Sequence, residues 1–125
     1  MDGKRLYALR GATQCLNQED DICLQVAALY DQLLADNHLA DRDIVSLVFS
    51  VTTDLDAKNP AAALRKSGRG ADLALFCVQE AQALGSLPLT IRALIHCYLE
   101  EGSEAHHVYR NGAEVLRPDW AKNEP

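Results

Sequence analysis

The chain has 125 residues, 48% hydrophobic and 24% charged, the proportions of one ordinary globular domain rather than a disordered, collagen-like or coiled-coil chain. A formal net charge of −6 and a pI near 5.1 argue against a nucleic-acid or anionic-membrane partner, because binding phosphates requires a positive footprint. No apolar run approaches the ~18 residues that span a bilayer, and the stretch from Leu6 to Leu9 is too short for a signal-peptide core, so a cytoplasmic protein is expected.

Residues 4–10 read as a first strand ended by Gly11. Asn17 then opens a long helix: its side chain can cap free amides, and Glu19, Asp20 and Asp21 complement the positive end of the helix dipole. Ile22, Val26, Leu29 and Leu33 recur at helical spacing, and Cys23, Ala27, Tyr30 and Leu34 repeat it one position over. This is a wide apolar stripe for packing on a sheet, with Asn37 suited to a left-handed terminator. Residues 44–52 (IVSLVFSVT) read as a buried central strand. Asn59-Pro60 starts a short helix that Gly68 closes, and residues 72–78 (DLALFCV) read as a third strand.

Residues 89–99 fit two periods. Ile91, Ala93, Ile95 and Cys97 alternate as in a strand, whereas Ile91, Leu94, Ile95 and Tyr98 suit a helix. Farther on, Val108-Tyr109 and residues 114–117 flank Asn111-Gly112, the pattern of a tight hairpin. The polar residues from Pro118 onward read as a loose tail. With no repeat or linker, one domain over residues 1–119 and a flexible end at 120–125 are expected.

Eight arginines stand against four lysines, a bias toward planar, two-pronged carboxylate binding. The four cysteines (Cys15, Cys23, Cys77, Cys97) form no C-x-x-C pair, and the histidines no H-x-x-x-H pair. Neither structural zinc nor a disulfide framework is expected, and the cysteines read as small buried hydrophobes. Asp54 and Asp56 read as turn formers rather than a metal pair, and His106-His107 as a solvated pair on opposite faces of a strand. Gly68-Arg69-Gly70 lacks the helix that phosphate cradling needs, and no Walker, dinucleotide or nucleophile-elbow motif occurs.

Arg92 lies within LTIRALI, where strand or helix would carry it toward the core. An arginine is rarely buried without an anion. Two readings stay open: a structural ion pair, with Glu80 as partner, or a cation for a ligand carboxylate or a developing negative charge. Glu80, closing DLALFCVQE, and Arg10, just before Gly11, pose the same question.

Several short motifs taken together resemble one family. They are Leu9-Arg10-Gly11-Ala12-Thr13, Asp36-Asn37-His38, Ser50-Val51-Thr52-Thr53-Asp54-Leu55, Pro60-Ala61 with Arg65, Cys77-Val78-Gln79-Glu80, Ile91-Arg92, His107-Val108-Tyr109 and Val115-Leu116-Arg117-Pro118-Asp119. In order and spacing, over residues 5–119, they resemble the small AroH-class chorismate mutases, which are distinct from the all-helical type. The resemblance implies an α+β subunit, a mixed β-sheet packed against one long helix and a short helical turn. It also implies assembly into a trimeric pseudo-α/β-barrel, a homotrimer with active sites at its interfaces. In this family the stretch holding Arg92 is a strand.

The implied activity is the Claisen rearrangement of chorismate to prephenate in phenylalanine and tyrosine biosynthesis, without cofactor or metal. By the same resemblance, Arg92 would donate to the ether oxygen. Arg10 and Tyr109 would hold the enolpyruvyl carboxylate, while Cys77 and Glu80 would bond the ring hydroxyl. Arg65 would sit at the pocket mouth and Arg117, with Leu116, in a C-terminal cover. Asn59, Ala61, Leu75, Phe76, Val78 and Gln79 would complete the lining, the backbone of residues 76–80 forming one wall. Asn59 departs from a usual aromatic, Ala62 from lysine, Phe76 from a small polar residue, and Gly85-Ser86 from a paired glycine. The altered rim at Asn59, Ala62 and Phe76 supports one alternative to the enzyme, a non-catalytic trimeric module binding an aromatic-pathway carboxylate; a further alternative is an Arg92–Glu80 pair that is purely structural.

Overall fold

A computed structural model describes residues 3–121. Its strands are β1 (Lys4–Gln14), β2 (Ile44–Val51), β3 (Leu75–Gln79), β4 (Thr90–Glu100) and β5 (Val108–Arg110). They form one five-stranded sheet in the order β3-β2-β4-β1-β5. β4 runs antiparallel to both β1 and β2, while β3 lies parallel to β2 and β5 parallel to β1. The expected mixed sheet is present, with β2 an interior strand between β3 and β4 as expected, and β4 in the middle of the order.

The strand period wins in β4. Ile91, Ala93, Ile95, Cys97 and Leu99 are buried, whereas Arg92, Leu94, His96 and Tyr98 between them are partly exposed. The pleat sends alternate side chains to opposite faces, so Arg92 points to the open face and not, as expected from its apolar neighbours, toward the core.

The other face of the sheet carries the helices α1 (Glu19–Asp36) and α2 (Pro60–Lys66). Ile22, Val26, Leu29, Tyr30 and Leu33 of α1 and Ala61, Ala63 and Leu64 of α2 join Leu9, Leu47, Phe49, Ile91 and Ile95 in one buried cluster. Apart from a 3-10 turn over Ala113–Leu116 and α3 (Pro118–Ala121) at one corner, no described helix packs on the opposite face. Leu6, Phe76 and Val78 are exposed there at 48%, 65% and 43%. No described helix is long and apolar enough to cross a membrane.

Several local expectations change in the structure. Gly11 does not end β1, which runs on to Gln14. A Cβ at Gly11 would lie 3.0 Å from both Leu29 Cδ1 and the Val108 carbonyl oxygen, so this glycine lets α1 and β5 approach β1 closely. Asn17 does not cap α1, which begins one residue after Gln18; its Oδ1 accepts from the amides of Asp56 and Ala57 instead. At the other end Asn37 keeps φ at −107° and His38 takes the left-handed conformation at 49°. The buried Asn37 amide donates to the carbonyls of Leu33 and His106 and accepts from the His106 amide, each at 2.8 Å, and so fastens the end of α1 to the segment before β5.

Asn59 does cap α2, accepting from the amides of Ala61 and Ala62, and Gly68 comes after it at φ +86°. Asn111 (φ 53°) and Gly112 (φ 102°) do form a turn. The chain leaves that turn as a 3-10 helix over Ala113–Leu116 rather than as a returning strand, and β5 pairs with β1 instead. Residues 106 and 107 precede β5 rather than lying in a strand. Pro118–Ala121 is helical where a loose tail was expected, and residues 122–125 of that tail lie outside the described residues.

Candidate active site

Strand register lays a row of side chains across the open face. Val78 aligns with Ser50, Ser50 with Arg92, Arg92 with Ala12, and Ala12 with Tyr109. Neighbouring strands are about 4.8 Å apart, so Arg92 and Tyr109 stand roughly 10 Å from each other with only a small alanine between them. Arg10 lies one pleat away on the same face of β1 and is exposed. Three cationic or hydroxyl-bearing groups thus look onto one floor.

Glu80 comes just past the end of β3, and its amide donates to the Val51 carbonyl. Its Oε1 accepts from Ser50 Oγ at 2.5 Å and lies 3.6 Å from Arg92 Nε. The ion pair is therefore real, but it is long, and the Arg92 and Glu80 side chains stay 35% and 26% exposed. Arg92 Nε is itself buried and has no hydrogen-bond acceptor among the described residues. A buried guanidinium N–H without an acceptor is costly, and an oxygen ligand on this face would satisfy it. Glu80 also lines a hollow of about 460 Å³ bounded by Thr52, Thr53, Asp54 and the loop through Pro88.

At the other end of the row, Tyr109 is buried and packs with Ala12, Ala113, Leu116 and Trp120. Arg117 forks onto Asp119 at 3.1 and 2.8 Å; that carboxylate raises the Arg117 pKa, and Arg117 lowers that of Asp119. The Arg10 amide donates to His107 Nδ1 at 3.0 Å, which makes Nδ1 the unprotonated nitrogen. Burial lowers the His107 pKa, and the nearby Arg10, Arg117 and His106 lower it further.

Not every expected residue joins this floor. Cys77 aligns with the buried Phe49 and packs, with Leu75, against the helix-side cluster. Its thiol lies 3.8 Å from the Val78 carbonyl, and burial raises its pKa, so the side chain is on the helix side of the sheet, away from the Arg92–Glu80 pair. Asn59 is occupied as a cap and Ala61 is buried in the core. Arg65 is exposed on α2, on the helix side of the sheet. Within one chain, then, Arg10, Glu80, Arg92, Tyr109, Leu116 and Arg117 gather along the open face with Phe76 and Val78 beside them, and Asn59, Ala61, Arg65, Leu75 and Cys77 do not.

The sequence description of type I chorismate mutases matches residues 6–120. The chain belongs to that family. It is 31% identical over 116 residues to chorismate mutase AroH of Bacillus subtilis, covering 91% of each chain. A solved chorismate mutase from Clostridium thermocellum shares 38% identity and a TM-score of 0.80, over 88% of this chain and 99% of that one. This chorismate mutase accordingly rearranges chorismate to prephenate, an isomerase step of aromatic amino-acid biosynthesis.

Three residues that touch this candidate site are not singled out as site residues by the sequence. Ser50, which holds Glu80, is a lone hydroxyl in a β-branched run, flagged only by its presence in a motif. His107 likewise appears in a motif but reads as solvated, and Trp120 reads as part of a loose tail.

Proposed function

We propose that the rearrangement takes place on the open sheet face, with Arg92 at the breaking C–O bond and Glu80 toward the ring. The single observation carrying this reading is the buried, acceptor-free Nε of Arg92 beside the carboxylate of Glu80. Chorismate rearranges within itself, so the task is to fold its arm over the ring and stabilise separating charge. As the ether bond lengthens ahead of C–C bond formation, negative charge gathers on the ether oxygen and positive charge on the ring. A fixed guanidinium at the first and a carboxylate near the second lower the transition state more than the ground state. Ser50 keeps Glu80 from swinging fully onto Arg92. Arg10 and Tyr109 take the carboxylate of the arm, with Arg117 and Leu116 closing that end. A local arginine cluster is what lets a chain of net charge −6 bind a dianion.

The proposal extends to a homotrimer with sites between subunits. Its supports are the exposed Leu6, Phe76 and Val78 on the open face, where apolar patches mark interfaces, and the separation of Arg65 from Arg92 in one chain. Subunit contact would complete the site by bringing one copy's α2 to its neighbour's open face. We also assign the enzyme to the cytoplasm, a reading supported by its four free thiols.

Light scattering should give a mass three times the 13.7 kDa of the chain. Refolding an equal mixture of the Arg65→Ala and Arg92→Ala variants should restore sites in which both arginines are intact, and with them chorismate turnover above either parent. A fully active monomer, or a mixture no better than its parents, would refute the interfacial site.

A further inference from the structure

We infer that Trp120 is a positioning residue that holds the Arg10 guanidinium ready for the substrate carboxylate, an inference that rests on the assignment of Arg10 to that carboxylate. Trp120 is the one tryptophan of the chain, on α3. The Arg117 guanidinium carbon lies 3.4 Å from its ring centre, and the His107 ring stacks on it at 3.9 Å and 27°. Two groups at such distances occupy opposite faces, so the indole is clamped between them. The Arg10 guanidinium carbon lies 5.3 Å from the same ring, and the Tyr109 ring 5.8 Å away at 57°.

This arrangement treats the two arginines differently. Arg117 has its fork filled by Asp119 and serves to press the indole onto His107. Arg10 has no carboxylate partner among the described residues. An aromatic contact engages a guanidinium through its π face or charge and leaves the in-plane N–H groups free for a carboxylate. His107 fixes the same residue from behind, since its Nδ1 accepts from the Arg10 amide. Backbone and guanidinium of Arg10 are thus held by two stacked rings. An exposed arginine without such support would have to surrender its side-chain freedom when it binds.

The test compares Trp120→Ala and Trp120→Phe with the parent enzyme. Losing an aromatic–guanidinium contact at an exposed arginine costs about two- to fivefold in binding, so Trp120→Ala should raise KM by about two- to fivefold and leave kcat within about twofold. Trp120→Phe should recover most of the loss. In an Arg10→Ala background Trp120→Ala should add little, because its effect runs through Arg10. The parent's tryptophan fluorescence, excited selectively at long wavelength and so arising from this one indole, should shift when prephenate is added, and the shift should vanish in Arg10→Ala. An unchanged KM in Trp120→Ala overturns the inference. So does an additive double variant, or a fall in kcat that tracks a lower melting temperature. If Arg10→Ala itself leaves KM unchanged, the assignment of Arg10 fails first, which is a distinguishable result.

Discussion

Replacing Arg92 by alanine separates its catalytic from its structural weight. In the resting site Arg92 faces Glu80 at 3.6 Å, with the two side chains 35% and 26% exposed. Such a pair contributes at most about 1 kcal/mol to stability. Glu80 would keep its bond from Ser50, so the variant should fold and melt within roughly 5 °C of the parent. The transition state is another matter. A unit charge about 4 Å from developing charge in a partly screened site is worth about 4 kcal/mol, similar to the ~3–4 kcal/mol lost with one oxyanion donor. That predicts a fall in kcat of about a thousandfold. Lysine at this position keeps the charge but loses the planar fork, and should recover only part of the rate. Initial rates come from the loss of chorismate absorbance, with prephenate identified by chromatography, and a thermal melt serves as control. A folded Arg92→Ala enzyme with kcat within about tenfold of the parent would refute the electrostatic account.

Ser50→Ala removes the hydroxyl that donates to Glu80 Oε1; a bond to a charged group of this kind is worth ~1.5–3 kcal/mol, so kcat/KM measured with chorismate should fall at least about tenfold. Gly11→Ala would press a methyl 3.0 Å from Leu29 Cδ1 and the Val108 carbonyl and 3.1 Å from Leu33 Cδ1, and should destabilise by about 1–3 kcal/mol, visible as a lower urea midpoint. His107 titrates below its ordinary 6.5 in the folded chain. Its contribution is therefore full above pH 6.5 and is lost as pH falls from there through the lowered folded value, because the unfolded chain takes up the proton first. The melting temperature of the parent should drop more steeply over that interval than that of His107→Gln, and parallel curves would contradict the assignment.

Much of the fold is legible in the sequence because the decisive signals are local. The two stripes of α1 and the Asn59-Pro60…Gly68 frame of α2 each lie within a few turns of chain. The nature of β4 is not legible that way. Its apolar residues satisfy both periods, and what selects the strand is pairing with β1 and β2, which no short window contains. The same holds for β5, whose partner is the first strand rather than the residues after its own turn. Arg10, Glu80 and Arg92 stand out as charges in or beside apolar runs, and the family resemblance groups them. The side of the sheet taken by Cys77 could not be read from its motif, because a one-residue change of phase in β3 reverses every side chain. Trp120 was hidden by its polar surroundings, although it meets Arg10, His107, Tyr109 and Arg117 at once.

The strand order has a consequence for how the chain is made. β1 is synthesised first, yet both of its neighbours, β4 and β5, come from residues 90–110. β2 likewise lacks one of its two partners until β4 appears. A nascent chain can form α1 and the β2–β3 pair early, but its first strand stays without a partner until residues 90–110 have left the ribosome. Closing the sheet is then a late event dominated by contacts far apart in sequence, the kind that slows folding and leaves strand edges briefly open to aggregation.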